Sequence, residues 1–179
     1  MKKILFYGFL LVMAESFAQT KLVTKTGKIT FEASVPAFEE VKAKNEAVTC
    51  ILNPETGEIA SLVLMKGFRF KVALMEEHFN ENYVESDKFP KATFKGKIDG
   101  FDATKLTATA KDYTIKGKLE LHGKSKDITI TAKIKKTDAG VELDSNFTLN
   151  TDDFDIEIPS VVSKKVSKKV AVTLEVTMK

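Results

Sequence analysis

The His and Cys residues of this chain are few and scattered. His78, His122 and Cys50 are the complete set. No two of them stand at the short spacing that brings zinc ligands together on one element. His122 precedes Gly123 in an expected turn, where a solvated imidazole is the simple assignment. His78 follows Glu76 and Glu77 at the end of an expected helix, again without a partner suited to catalysis. Asp152, Asp153 and Asp155 form an acidic cluster that could bind calcium. It lacks the Gly and the terminal Glu of an EF-hand loop, which favours a solvated loop. No G-x-S-x-G elbow, Gly-rich phosphate loop or Walker sequence occurs. Cys50 shares a strand face with Val48 and Leu52, which reads as a buried, inert thiol. No catalytic residue, metal site or cofactor is therefore expected, and the chain reads as a non-enzyme.

The elements that carry these residues alternate with period two. Val170, Val172, Leu174, Val176 and Met178 fall on one face of the last segment, with Thr173, Glu175 and Thr177 on the other. A strand sends successive side chains to opposite faces, so this is a half-buried strand. The pattern recurs in Val141, Leu143, Phe147 and Leu149, and in Ile128, Ile130, Ala132 and Ile134. It recurs again in Ile115, Gly117, Leu119 and Leu121, and in Ile29, Phe31, Ala33 and Val35. Turn residues separate the runs at Asn53–Gly57, Asp99-Gly100, His122-Gly123 and Thr137–Gly140. About eight strands joined by short turns predict an all-β, antiparallel barrel. Two segments break the alternation. Pro36–Asn45 fits one or two helical turns. Phe70–Tyr83 places Val72, Met75, Phe79 and Tyr83 on one helical face, as a lid or plug against the barrel.

The N-terminus has the build of an export signal: Lys2 and Lys3, an apolar run from Ile4 to Ala14, then Ser16-Phe17-Ala18. Cleavage after Ala18 is expected, which divides the chain into a signal peptide, 1–18, and one barrel domain, 19–179. The run is too short for a stable membrane anchor. The whole chain carries 28 Lys and Arg against 25 Asp and Glu, and loss of Lys2, Lys3 and Glu15 leaves a net charge of +2. That balance gives no reason to expect nucleic acid. A single cysteine allows no internal disulfide, so the fold must stand on its core. These features fit an exported protein of the bacterial envelope, in the periplasm. The pairs Lys164-Lys165 and Lys168-Lys169 suit solvated edge positions, or transient contact with acidic lipid headgroups.

The aromatic set is lopsided, with 13 Phe, 3 Tyr and no Trp. Phe68, Phe70, Phe79, Tyr83, Phe89 and Phe94 form its richest stretch. An eight-stranded barrel is just wide enough to be filled by such side chains or to hold one ligand. Composition alone leaves both interiors open.

The run EEHFNENYVESDKFPKATFKGKI at 76–98, followed by YTIKGKLELHGKSKDITI at 113–130, resembles the YceI-like family. The matching features are a helix ending in His78-Phe79 and Tyr83, then Lys88-Phe89-Pro90 leading into Thr93-Phe94. Gly117-x-Leu119-x-Leu121-His122-Gly123 with Lys124 also matches. Asp153-Phe154-Asp155-Ile156 is similar to the family's D-F-G-I stretch, with Asp155 where Gly is usual. Many members carry a His on an early strand, and ITFEAS at 29–34 has none.

The resemblance implies a lipocalin-like barrel with an amphipathic lipid ligand, isoprenoid-like or otherwise, and is compatible with a homodimer. It tips the interior toward hollow. The expected lining is Phe31, Phe68, Phe70, Met75, Phe79, Tyr83, Phe94, Leu119, Ile130, Phe147 and Phe154. The implied role is a lipid carrier without covalent chemistry. The competing reading is a stress-related interaction module with a packed barrel and no ligand.

Overall fold

The computed structural model describes residues 21–179. The expected targeting segment lies outside the described residues. The strands are β1 (Leu22–Ser34), β2 (Lys42–Leu52), β3 (Glu58–Leu64), β4 (Arg69–Phe70), β5 (Lys91–Ile98), β6 (Lys111–Leu121), β7 (Lys124–Thr137), β8 (Gly140–Asn150) and β9 (Val166–Met178). Every pairing is antiparallel. The order is β1-β9-β8-β7-β6-β5-β3-β2, and β1 also pairs with β2. The sheet therefore closes into an eight-stranded barrel, which leaves its long strands no free edge. The two-residue β4 is an addition to β2, with Ala43 opposite Phe70.

The alternation of the sequence is the alternation of the barrel wall. In β9 Val172, Val176 and Met178 are buried while Ala171 and Glu175 are exposed. The β6–β7 hairpin has a two-residue loop, His122-Gly123, with φ of 52° and 72°. Two successive left-handed residues are what a tight hairpin with correctly twisted strands requires.

Both helical expectations change. Within 36–45, residues 36–38 form a turn with Ala37 at φ 72°, and β2 begins at Lys42. Ala43 pairs with Phe31 on one side and with Phe70 on the other. Pairing on both sides outweighs a short stretch of helix-compatible residues, because isolated turns of helix have little stability of their own. Within 70–83, the α-helix α1 is only Ala73–His78, and Phe70 belongs to β4. Residues Phe79–Tyr83 continue as one π-turn, with the Val84 amide donating to the Phe79 carbonyl at 3.0 Å. Glu76 ties this segment back to β4: it accepts from Arg69 at 3.0 Å and from the Phe70 amide at 3.2 Å.

Strand direction divides the connections between two ends. Loops 53–57, 99–110 and 138–139 lie at the lower end, and 35–41, 65–90, 122–123 and 151–165 at the upper end. The buried side chains form two clusters along this axis. The lower one contains Cys50, Leu52, Ile98, Ile115, Ile134, Leu143 and Met178, all at most 1% exposed. The upper one contains Val48, Val63, Phe68, Phe79, Phe154 and Ile156.

Candidate ligand cavity

The two halves of the barrel interior differ. The lower half is packed, while the upper half encloses a cavity of about 380 Å³. This lies within the ~300–1,000 Å³ typical of small-molecule sites. Cys50, Ile59, Ile115 and Leu143 belong both to the lower core and to the cavity wall, so they form its floor. The upper rim is built from three connections: Glu39 and Val41 from 35–41, Met75 and His78 from α1, and Ile158, Val162 and Lys165 from 151–165.

All eleven residues expected to line the interior are on the cavity wall. Four come together as one aromatic face. Phe31 stacks on Phe79 with ring centroids 5.3 Å apart and meets Phe68 edge-on at 5.2 Å. Phe70 lies 5.2 Å from Phe79. Strand β1 supplies one ring, the stretch from the β3–β4 link into β4 two, and the π-turn the fourth. Phe68 and Phe70, two apart, share one side of the extended chain, and contact with Phe31 and Phe79 from separate elements completes the face. Met75 and Tyr83 extend the same side, and Phe94, Leu119, Ile130 and Phe147 stand on β5, β6, β7 and β8. Phe154, 1% exposed, packs with Ile156 in the upper cluster.

Other lining residues were not anticipated. Ile59, Val63 and Met65 alternate along β3 and its exit, so their period was readable in the sequence. Ile156, Ile158 and Val162 come from an irregular connection and carry no periodic signal.

His122 is not a solvated imidazole. Its side chain is 9% exposed. Nδ1 donates to the Phe154 carbonyl oxygen at 2.9 Å, Nε2 lies 3.0 Å from Glu85 Oε2, and the ring meets Phe89 at 4.6 Å. The tight hairpin turns the ring onto the end of the barrel, where it ties the π-turn exit to the 151–156 segment. The acidic cluster is divided among lysines: Lys168 pairs with Asp152 at 3.0 Å, Lys126 with Asp153, and Lys124 with Asp155 at 2.6 Å. Among the described residues no group of three His, Cys, Asp or Glu side chains is arranged to hold a metal. Asp155 adopts φ 51°, the left-handed conformation that a glycine would take with less strain. His78 sits exposed on the rim.

Cys50 is buried, and desolvation pushes its thiol up to about 12, against a smaller opposing effect from the Ile51 backbone. A thiol held protonated is a poor nucleophile. Thr151 is 8% exposed on the cavity wall, and its Oγ1 has no hydrogen-bond partner among the described residues.

A closed antiparallel β-barrel with an apolar cavity in one half defines the class as a lipocalin-like binding barrel. The YceI-like domain family matches residues 17–178, and the chain belongs to that family. No curated protein sequence matches the chain. Among solved structures, a polyisoprenoid binding domain from Saccharophagus degradans aligns at TM-score 0.75 and 14% identity, over 89% of this chain and 97% of that one. BcnA of Burkholderia cenocepacia aligns at 0.69 and 13%, over 83% and 94%. The Campylobacter jejuni YCEI protein aligns at 0.59 and 16%, over 81% and 89%. At these identities the similarity is one of fold.

Proposed function

We propose that this protein is a carrier of the bacterial envelope that holds the apolar chain of an isoprenoid-like or other amphipathic lipid in the upper half of its barrel. The observation that carries this reading is the cavity of about 380 Å³, walled by the Phe31–Phe68–Phe70–Phe79 face and open toward the rim. Burying a hydrocarbon chain there is favourable by ~0.8 kcal/mol for each CH₂ removed from water. The reading involves no covalent chemistry. Family membership and the polyisoprenoid-binding description of the Saccharophagus domain support it. A packed interior, which the competing interaction-module reading requires, describes only the lower half.

Loading and release take place at a lipid surface in this reading. Phe38, Leu74 and Val161 are 47%, 56% and 83% exposed, one on each of the three connections that form the rim. Each adjoins a rim residue: Glu39, Met75 and Val162. A mouth set against a bilayer spares the chain a passage through water.

The experiment is extraction of the natively purified protein with organic solvent, followed by mass spectrometry. A stoichiometric lipid is expected. An empty extract, together with no uptake of added farnesol or geranylgeraniol, overturns the reading. Vesicle co-sedimentation of the Phe38→Ser, Leu74→Ser, Val161→Ser triple variant checks the rim. Vesicle binding should fall while lipid binding in detergent persists.

A further inference from the structure

The cavity ends inside the barrel rather than running through it. Its floor residues Cys50 and Leu143 are 0% exposed, and Ile115 is 1% exposed. Beneath them Leu52, Ile98, Ile134 and Met178 fill the interior to the lower end. A hydrocarbon chain entering at the rim meets solid core half-way down.

The depth available follows from the strand geometry. From Leu143 at the floor to Asn150 at the rim β8 advances seven residues. At ~3.3 Å per residue and a strand tilt of about 40°, this is roughly 18 Å along the axis. An extended chain with C–C bonds of about 1.5 Å advances roughly 1.25 Å per carbon, so about 14 carbons reach from rim to floor.

We propose that Cys50, Ile115 and Leu143 form a stop that measures chain length. This rests on the carrier reading and names its preferred ligand class: single apolar chains of about 14 backbone carbons, as in a myristoyl or farnesyl-sized group, with the polar end left at the rim. Longer tails bind, but their surplus stays outside the cavity. Side chains in a close-packed core do not yield to a ligand end without displacing their neighbours, which is why the stop is firm.

The test is competition binding of saturated fatty acids from 8 to 22 carbons, with farnesol and geranylgeraniol beside them, to the delipidated native protein. A dansylated fatty acid serves as reporter. Affinity should rise roughly fourfold per added carbon, the equivalent of ~0.8 kcal/mol per CH₂, and then level off near 14 carbons. Leu143→Ala should move the break about two carbons longer, and Cys50→Met about two carbons shorter, since the first empties the floor and the second raises it. If Leu143→Ala fails to fold, the Cys50→Met shift and the wild-type break still decide. Affinity that climbs without a break to 22 carbons, or a break unmoved in folded variants, overturns the stop while leaving the carrier reading intact. Binding of no chain at any length overturns both.

Discussion

The ring of Phe94 lies across Gly117 on the facing strand: a Cβ at Gly117 would stand 2.6 Å from Phe94 Cζ. Gly117 is paired with Gly96, and a Cβ there would come within 2.7 Å of the same atom. Two opposed glycines on β5 and β6 thus make the recess into which the ring folds, with its face on the cavity wall. Gly117→Ala presses its Cβ onto the Lys95 carbonyl oxygen and the Gly96 Cα of β5 as well as onto the ring, so both the strand and the ring must shift. The expected cost is about 1–3 kcal/mol, as for other overpacked interiors, read as a lower urea midpoint, together with weaker lipid binding. An unchanged midpoint would mean that strand β5 and the ring both give way without cost.

Cys50 links the floor to pH. Burial disfavours the thiolate and pushes the thiol up to about 12 in the folded chain, from its usual value of 9.0. The raised value stabilises the fold fully below pH 9, and that contribution is lost as pH rises from 9 toward 12, where the unfolded chain alone deprotonates. The slope is about 1.4 kcal/mol per pH unit in that window at most. Cys50→Ala should flatten the alkaline limb of a pH–stability curve. In the native wild type at neutral pH, Ellman's reagent should leave the thiol unreacted until the protein unfolds.

His122 holds the upper end together through its contacts with Phe154 and Glu85. His122→Ala removes both and leaves a buried carbonyl without its donor, at a cost of about 1–3 kcal/mol. The loss should be local. Hydrogen exchange should quicken at the Val84 and Ile156 amides, on the two segments that the ring ties, while the lower core amides of β7 and β8 stay protected.

Thr151 presents the opposite case, a buried hydroxyl without a hydrogen-bond partner among the described residues. Thr151→Val keeps the shape and removes the unpaired oxygen, so the ligand-free protein should gain about 1 kcal/mol. If the hydroxyl meets the polar end of a bound lipid, the same variant binds that lipid more weakly while binding plain alkanes as before. Calorimetry on both ligand types checks this.

The barrel was legible because strand periodicity is local. Runs such as Val170 to Met178 or Ile128 to Ile134 declare their inward face residue by residue, and the Asn53–Gly57, His122-Gly123 and Thr137–Gly140 turns mark where the strands reverse. The lining on the long strands, at Phe31, Phe94, Leu119, Ile130 and Phe147, followed from the same alternation, whereas Phe68, Phe70, Met75, Phe79, Tyr83 and Phe154 stand on the upper connections and rested on the aromatic stretch and the family motif. Helix boundaries did not follow. Pro36–Asn45 has helix-compatible composition, but Lys42–Asn45 is claimed by strand partners far away in sequence.

By itself the sequence determined an all-β chain, the faces of its strands and the absence of a recognisable catalytic motif. Tertiary structure alone decided that the lower half is solid and the upper half hollow, that Phe31, Phe68, Phe70 and Phe79 meet, and that the His122 ring packs against Phe89 and bonds to Phe154. Those outcomes depend on which inward side chains share a level of the barrel. That in turn is set by strand register and closure, which bring Cys50 of β2 and Leu143 of β8 into one core. Alternation says which way a side chain points, and only register says what stands opposite it.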